Sequence, residues 1–268
     1  GDDAMLVNEN EAGSGLCLDT LSLGYGSRMI VEGLDLKVPP RAFTVLLGRN
    51  GSGKSTVLRA CAGLLKPRAG SVLLDGKPLA RFTARESARR ITILPQGPVA
   101  PEGLTVSDLV RQGRYPHRGL FSRWSRADEE ACQEALALTG MADLREQPLE
   151  DLSGGQRQRA WIAMSLAQQT DILLLDEPTT FLDLAHQAEI MSLITTLVKS
   201  RRKTIVAVLH DVNQAARHAV HIVMFKAGKL VQQGPPHATI TREHVRLVFD
   251  IDPEIVHDAK TNAKFILS

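Results

Sequence analysis

The sequence predicts an α/β fold with a mostly parallel sheet that carries its functional groups at the carboxyl ends of the strands. Three observations favour this fold class. A short apolar run, 43–47, leads through a glycine-rich loop, 48–55, into apolar residues at helical spacing over 57–65. Two further apolar runs, 172–175 and 204–209, are each followed by polar side chains. Helical patterns alternate with these strands, which is typical of parallel sheets.

Composition narrows the function classes. The 268 residues carry a formal net charge of only +2, which disfavours a nucleic-acid-binding surface. The three cysteines, Cys17, Cys61 and Cys132, lie far apart, so we expect free thiols in a reducing cytosol. No apolar run is long enough to cross a bilayer and no secretory pattern opens the chain, so we expect a soluble protein that reaches membranes through a partner. We expect residues 1–14 to be a disordered tail or an expression remnant.

Two strands precede the glycine-rich loop. Apolar and polar residues alternate over 16–23 and again over 34–38, on either side of a turn at 24–26. Tyr25 lies in this turn, where an exposed ring could stack on a nucleotide base. The alternative is a half-buried loop tyrosine without a ligand.

The glycine-rich loop matches the pattern G-x-x-x-x-G-K-[ST]. Backbone N–H groups in such a loop turn inward around phosphate oxygens, Lys54 adds a positive charge, and Ser55 is placed to bind Mg²⁺. A merely flexible turn would need neither the strand before it nor the helix after it. We therefore predict phosphate binding by Gly48, Arg49, Asn50, Gly51, Ser52, Gly53, Lys54, Ser55 and Thr56.

The chain continues with a strand at 71–74, which runs into the turn-forming pair Asp75 and Gly76, and with a strand at 91–94. Gln96 follows the second of these strands. An amide at such a place is usually an ordinary loop residue. Beside a phosphate site, however, Gln96 could contact Mg²⁺ or the attacking water.

A helical stretch from about 104 to 168 interrupts the alternation and is predicted to be an inserted subdomain. Thr105 and Ser125 each precede an aspartate by three residues, which is the spacing of a capping box. Between them, arginines are interleaved with aromatic residues over 111–126. This segment is compatible with a partner-docking surface, with a solvated helix face or with binding of single-stranded nucleic acid.

A second anion site is predicted at 152–156. Ser153, Gly154 and Gly155 open a new helix there and offer free N–H groups at its positive end. The neighbouring sequence supplies no anion. The glycines could instead cap the preceding segment, although the hydroxyl ahead of them argues against this.

Carboxylates and a histidine follow the last two apolar runs. Asp176 ends one run at the sheet edge, where Mg²⁺ needs an anionic anchor, and Glu177 could orient or deprotonate the attacking water. His210 follows the other run and is the third polar group delivered to this edge. The alternatives are a solvated strand end for Glu177 and a structural histidine for His210.

These motifs, in this order and spacing, resemble the complete motif set of the ATP-binding subunits of ABC transporters. The resemblance covers about 16–255, and its most specific part is the five-residue sequence Leu-Ser-Gly-Gly-Gln ahead of a metal-binding strand. The motifs that carry the resemblance are Gly48–Ser55, Gln96, Leu152–Gln156, Ile172–Pro178, Leu182, Asp183 and His210.

The resemblance implies a single nucleotide-binding domain over 15–268. Its P-loop, RecA-like core would occupy about 15–100 and 169–250, with an antiparallel β subdomain and an inserted α-helical subdomain at about 101–168. Two copies would form a head-to-tail dimer that binds ATP and Mg²⁺ between them.

The resemblance also implies a role for each candidate residue. These roles are adenine stacking for Tyr25, catalytic phosphate contact for Lys54 and His210, contact with Mg²⁺ and water for Gln96, metal binding for Ser55, indirect metal binding for Asp176, base catalysis for Glu177, dimer contact for Asp183, and binding of the partner copy's nucleotide for Ser153, Gly154, Gly155 and Gln156.

A finer resemblance links the segments 113–117, 156–163 and 209–215 to the ATPases of ferric siderophore importers, the ferric enterobactin type above all. Vitamin B12 and haem importers are close relatives. Phe181 stands where siderophore ATPases often have tryptophan. This resemblance implies a peripheral ATPase on the cytoplasmic face of the bacterial inner membrane. It would power a permease, whose coupling helix would dock near 111–124, with a periplasmic or surface binding protein as indirect partner and no nucleic acid.

Two other function classes stay open. A soluble ABC protein that acts on nucleic acid or in iron–sulfur assembly would need no permease, but such proteins usually carry two cassettes or long arms. A small-molecule kinase would leave Ser153–Gln156 without a purpose.

Overall fold

The computed structural model describes residues 15–260 and 264–267, and the expected tail at 1–14 lies outside them. The described residues form three sheets flanked by helices. The strands are β1 (Leu16–Tyr25), β2 (Arg28–Lys37), β3 (Phe43–Leu47), β4 (Ala69–Leu74), β5 (Lys77–Pro78), β6 (Ile91–Leu94), β7 (Ile172–Asp176), β8 (Thr204–Val208), β9 (His221–Lys226), β10 (Lys229–Gly234), β11 (Glu254–His257) and β12 (Lys264–Leu267). The helices are α1 (Lys54–Cys61), α2 (Ala84–Ala88), α3 (Val106–Gln112), α4 (Arg126–Leu138), α5 (Gly154–Ala167), α6 (Leu184–Arg201), α7 (Val212–His218), α8 (Pro236–Thr239) and α9 (Arg242–Phe249).

The central sheet has six strands in the order β10-β9-β3-β8-β7-β6. Five of its strands run parallel, and β10 pairs antiparallel with β9 at one edge. The second sheet, β2-β1-β4-β5, is antiparallel throughout. The predicted α/β fold class, with a mostly parallel core sheet and an antiparallel β part, is therefore confirmed.

Burial on both faces of the central sheet explains the continuous apolar runs in its strands. Side chains of β3 alternate between the faces: Phe43, Val45 and Leu47 pack with α3 to α7, whereas Leu46 packs with α1 and the antiparallel sheet. The side chains of β7 and β8 alternate in the same way. Because both faces are covered, the polar groups of these strands are confined to the strand ends.

The two predicted capping boxes are confirmed. Thr105 caps α3 and Ser125 caps α4, and each serine or threonine exchanges hydrogen bonds with the aspartate three residues later, Asp108 or Asp128. The apolar spacing of the sequence predicts this second helix only over Ala131–Leu138, but α4 begins at Arg126, five residues earlier. The cap, rather than the first apolar residue, therefore sets the start of the helix.

The segment between α3 and α4 is not a continuous helix. It contains one 3₁₀ turn, Tyr115–His117, and otherwise runs as a loop to the cap of α4. Gly113 lies against α5 so closely that a Cβ atom there would be 2.2 Å from the carbonyl oxygen of Met164. The interpretation of 111–126 as a solvated helix face is therefore wrong for most of its length.

Beyond α9 the chain forms a hairpin, β11 paired with β12, that packs on α7. The side-chain amide of Asn213 donates to the carbonyl of Ile266 (3.1 Å) and accepts from its N–H (2.7 Å). Asn213 thus forms both backbone hydrogen bonds of Ile266, as a neighbouring strand would. These bonds tie the hairpin to the helix that follows His210.

All three cysteines are free thiols, as predicted. Burial raises the pKa of Cys61 to about 12 and that of Cys132 to about 11. Such thiols stay protonated and act as small apolar side chains.

A buried ion pair holds the loop between α3 and α4 in place. The Arg114 guanidinium donates to Asp128 (2.9 Å), to the Ala167 carbonyl and to the Gln169 side chain (2.8 Å each). Both members of the pair are buried, with side chains 5% and 6% exposed. Burial alone would raise the pKa of Asp128, but hydrogen bonds from Ser125 and Arg114 outweigh it and hold the pKa below its ordinary value. The pair is therefore ionised at neutral pH.

We predict that Arg114→Ala lowers the free energy of unfolding by about 3–5 kcal/mol, because the substitution leaves the Asp128 carboxylate buried without its cation. Urea unfolding followed by circular dichroism measures this change. Arg126→Ala is the matched control, since Arg126 pairs with Glu130 in an exposed i,i+4 contact and its loss should cost less than about 1 kcal/mol. Equal effects of the two substitutions would contradict the assignment.

Candidate nucleotide site

The glycine-rich loop connects β3 to α1 and opens the helix without a side-chain cap. Gly53 is the N-cap residue of α1 at φ 106°, a left-handed conformation that favours glycine, and a Cβ there would lie 2.8 Å from Val31 Cγ2. Capping boxes occupy the starts of α3, α4 and α5, but none caps α1. The N–H groups in the first turn of α1 are therefore free to bind phosphate oxygens.

Lys54 begins α1 and is only 5% exposed. Its ammonium group donates to the carbonyls of Gly48 and Arg49, the latter at 3.4 Å. Burial lowers the pKa of Lys54, and the nearby carboxylates of Glu177 and Asp176 oppose that shift. A buried cation bound mainly by neutral carbonyls is suited to receive further negative charge from a ligand.

Ser55 and Asp176 meet across the sheet edge. The Ser55 hydroxyl donates to Asp176 Oδ1 at 3.0 Å. Burial raises the pKa of Asp176, while the hydrogen bond from Ser55 and the charges of Lys54 and His210 oppose the rise. Two hard oxygen donors at this distance, beside a phosphate loop, are the kind of ligand that Mg²⁺ prefers.

Glu177 and His210 are brought into direct contact, Glu177 Oε1 with His210 Nε2. Glu177 has φ 55°, and its N–H donates to the Val208 carbonyl at 3.1 Å. A left-handed non-glycine residue costs roughly 1–2 kcal/mol, so a specific contact must hold it there. Its other carboxylate oxygen, Oε2, is buried and has no hydrogen-bond partner among the described residues. A buried polar atom without a partner is rare and is typical of strained or catalytic groups.

Lys54, Ser55, Glu177 and His210 share one cavity of about 790 Å³, whereas Asp176 is not among its lining residues and reaches it through the hydrogen bond from Ser55. The predicted residues that line it are Tyr25, Asn50, Gly51, Gly53, Lys54, Ser55, Thr56, Gln96, Glu177 and His210. The lining also includes Arg28, Ile30, Thr180 and Phe181, which we did not predict as site residues. Arg28 pairs with Tyr25 across the β1–β2 turn. The one sequence feature that could have indicated Arg28 as a site residue is its position, three residues after the predicted stacking tyrosine.

The remaining loop residues, Gly48, Arg49 and Ser52, are not among the residues that line the cavity. The Arg49 guanidinium forms an ion pair with Asp250 at 2.8 Å, just after α9. Ser52 is buried, and its N–H donates to the Arg49 carbonyl at 3.1 Å. A Cβ at Gly48 would lie 2.6 Å from Ser52 Oγ. The contacts of these three residues therefore stabilise the conformation of the loop.

The second predicted anion site is not part of this cavity. Ser153 caps α5 and exchanges hydrogen bonds with Gln156, its hydroxyl accepting from the Gln156 N–H at 3.2 Å. Asp183 caps α6 by accepting from the N–H of His186 at 2.9 Å. None of the residues 153–156 appears in the described lining of the cavity. The phosphate loop and the second predicted phosphate-type surface, 153–156, are therefore separate within one copy of the chain.

The basic and aromatic segment at 111–126 divides into buried and exposed parts. Trp124 is half-buried between Arg111 and Arg118, whose guanidinium carbons lie 4.2 and 5.3 Å from the centre of its ring. Tyr115 and Phe121 are exposed, by 78% and 98% of their surface. Of the aromatic rings at 115, 121 and 124, the stretch therefore exposes those of Tyr115 and Phe121.

The parallel sheet, the uncapped helix after a phosphate loop, and the paired oxygens at Ser55 and Asp176 define a nucleoside-triphosphate-binding protein of the P-loop class. Residues 31–180 match the sequence profile described as ABC transporter. A protein named as a probable siderophore transport system ATP-binding protein of Bacillus subtilis is 50% identical, over 91% of this chain and 89% of that protein. The ferric enterobactin transport ATP-binding protein of Escherichia coli is 45% identical, over 90% and 89%. The chain belongs to the ABC transporter family as an ATP-binding subunit, and it is an ATPase.

Solved structures agree with the family assignment. The chain is similar to cbiO1 from Clostridium perfringens, part of the ABC transporter complex cbiONQ, with a TM-score of 0.77 and 27% identity over 88% of this chain and 95% of that one. It is also similar to a bacterial ABC transporter cassette solved as a dimer, with a TM-score of 0.72 and 28% identity over 82% and 98%.

We predict that Lys54→Ala weakens ATP binding by about 10- to 100-fold, the effect of losing a charge-assisted contact of roughly 1.5–3 kcal/mol. A fluorescence titration with an ATP analogue measures the change. Lys66→Ala removes an exposed lysine and serves as the control. Unchanged binding by a folded Lys54→Ala protein would contradict the phosphate-loop assignment.

Proposed function

We propose that this chain hydrolyses ATP to power a membrane permease that imports ferric siderophore complexes. The names of two close relatives, a siderophore transport and a ferric enterobactin transport ATP-binding protein, support this substrate class. In the part of the chain that the structure describes, no helix has both the length and the apolar character needed to cross a membrane. The chain would act as a peripheral subunit at the cytoplasmic face of the bacterial inner membrane, with a periplasmic or surface binding protein as indirect partner.

The observation that carries the catalytic proposal is the buried, unpartnered Oε2 of Glu177 in the same cavity as Lys54. Glu177 accepts a proton from water while the water oxygen bonds to the γ-phosphorus and the bond to the ADP leaving oxygen breaks. His210, which contacts Glu177, binds the γ-phosphate, and Gln96 contacts the attacking water. Tyr25, 46% exposed at the cavity wall, stacks on the adenine.

The residues at the sheet edge fit Mg²⁺. Ser55 supplies a hydroxyl oxygen, Gln96 an amide oxygen, and Asp176 a carboxylate that bonds Ser55 and holds the ion indirectly. When bound, Mg²⁺ neutralises charge on the β- and γ-phosphate oxygens. Asp176 also fixes the direction of the Ser55 hydroxyl by accepting its hydrogen bond.

The second phosphate-type surface requires a second copy of the chain. We infer that Ser153, Gly154, Gly155 and Gln156 bind the γ-phosphate of ATP held by the partner copy, and that Asp183 contacts that copy. The capping box occupies the Gln156 N–H, and the Gly154 and Gly155 N–H groups at the start of α5 carry the partial positive charge that such a contact needs. The dimer solved for a related cassette supports this arrangement.

The loop between α3 and α4 is the proposed docking surface for the permease. Its tip carries Leu120 and Phe121, exposed by 95% and 98%, and Tyr115 lies at its start. Exposed apolar side chains clustered in this way are typical of protein contact sites. The buried pair of Arg114 with Asp128 holds the loop in one conformation for that contact.

Two alternatives are distinguished by experiment. An importer of vitamin B12 or haem would use the same ATPase with another permease. A soluble ABC protein acting on nucleic acid or in iron–sulfur assembly would copurify with RNA, DNA or assembly proteins instead of a polytopic membrane protein. The near-neutral charge of the chain disfavours nucleic acid.

We predict that Glu177→Gln lowers kcat for ATP hydrolysis by about 10²- to 10⁴-fold, the usual contribution of a general base, while ATP binding is retained. The variant should accumulate as an ATP-bound dimer in size-exclusion chromatography. Glu243→Gln, an exposed change on α9, should leave both properties as they are. Hydrolysis by Glu177→Gln at the wild-type rate would refute its role as the base.

We predict that deletion of the gene abolishes uptake of ⁵⁵Fe delivered as a ferric siderophore, and that plasmid-borne wild-type protein restores uptake whereas Lys54→Ala does not. Parallel assays with labelled vitamin B12 and haem identify the substrate class. Normal ferric siderophore uptake by the deletion strain, with loss of vitamin B12 or haem uptake, would refute the siderophore proposal and favour the matching alternative.

A further inference from the structure

His186, in the first turn of α6, lies between the two elements that are proposed to reach the partner copy. Its imidazole covers Gly155 so closely that a Cβ on Gly155 would lie 2.2 Å from His186 Cδ2 and 2.4 Å from Cγ. Real Cβ contacts are not that short, so a side chain at 155 and the ring at 186 exclude each other. Glycine at position 155 is thus required by a contact within one copy of the chain.

The other side of the same imidazole contacts Asp183. His186 Nδ1 lies 2.9 Å from Asp183 Oδ1, and that oxygen also accepts from the His186 backbone N–H at 2.9 Å. The backbone bond lowers the pKa of the Asp183 carboxyl. Asp183 is itself exposed, so these two contacts with His186 fix the direction of its carboxylate.

The turn that carries Asp183 is braced from its other side as well. The Gln187 amide donates to the Leu182 carbonyl at 3.0 Å and accepts from the Gln214 side chain at 3.1 Å. Gln214 belongs to α7, the helix after His210. Gln187 thus holds the turn toward α7. Toward α5, Leu182 makes an ordinary contact at Gly154, and His186 makes the much closer contact at Gly155.

We propose that His186 is a positioning residue that sets the spacing between Asp183 and the signature turn, 153–156, so that one copy presents both elements to its partner as a single rigid unit. This inference rests on the proposed head-to-tail dimer. The imidazole touches neither nucleotide nor metal in this assignment, and it acts through Gly155 and Asp183.

The contact with Gly155 is tested without nucleotide by a double-mutant cycle on thermal unfolding. Gly155→Ala should lower Tm in the wild-type background and lower it less in the His186→Ala background, because that substitution removes the ring atoms at 2.2 and 2.4 Å and leaves His186 Cβ, at 2.9 Å, as the remaining close contact. Additive shifts would refute the contact. Gly154→Ala, whose Cβ would lie at an ordinary 3.6 Å from Leu182 Cδ2, is the matched control and should show no coupling with His186.

The effect on the dimer is tested in the Glu177→Gln background by sedimentation with ATP. His186→Ala should weaken ATP-dependent dimerisation about tenfold or more, equal to about 1.4 kcal/mol, while ATP binding to the single subunit changes less than about twofold. His186→Phe keeps a ring over Gly155, and His186→Asn keeps a side-chain donor toward Asp183, so each should recover part of the loss. His237→Ala, an exposed histidine of α8, should have no effect.

Dimerisation of folded His186→Ala protein at parental strength would overturn the proposal, as would failure of both His186→Phe and His186→Asn to recover any of the loss. If His186→Ala does not fold, the Phe and Asn variants decide the matter by the same measurement. If the Glu177→Gln parent itself does not dimerise with ATP, the proposed dimer is wrong. In that case the proposed role of His186 in dimerisation is wrong as well. The nucleotide-free double-mutant cycle still tests the contact between His186 and Gly155 within one copy.

Discussion

The buried ammonium group of Lys54 is the constraint on which the organisation of this site depends. A cation with 5% exposure must be compensated by oxygens, and the carbonyls of the phosphate loop meet only part of that need. The strand order supplies the rest, because β8 lies between β3 and β7 and its Val208 is in register with Leu46 on one side and Asp176 on the other. This arrangement brings the carboxylates of β7 to the edge where α1 begins.

The second predicted phosphate-type surface, 153–156, is not part of that edge. The start of α5 and the turn before α6 form one assembly through His186, whereas the phosphate loop, Asp176, Glu177 and His210 form another. The division explains why a hydrolytic site built from these residues would depend on association of two copies, and why contacts far from the nucleotide can influence turnover.

Much of this organisation could be predicted from local sequence. The phosphate loop, the apolar parallel strands and the caps at Thr105 and Ser125 each depend on residues within a few positions of one another, so spacing alone indicates them. Contacts between distant residues left no such pattern. Three such contacts arise only when the chain is folded. They are the buried ion pair of Arg114 with Asp128, the contact of the left-handed Glu177 with His210, and the hydrogen bonds of Asn213 with Ile266. The ring of His186 over Gly155 belongs to the same group, since the two residues are 31 positions apart.

A mixing experiment tests the division of the site most directly. Lys54→Ala disables the phosphate loop of one copy, and Ser153→Arg disables the signature turn of another, so each protein alone should hydrolyse little ATP. In the mixture, heterodimers contain one site with an intact phosphate loop and an intact signature turn from different copies, and hydrolysis should recover in proportion to heterodimer concentration. A mixture as inactive as its components, under conditions in which wild-type protein is active, would contradict the account.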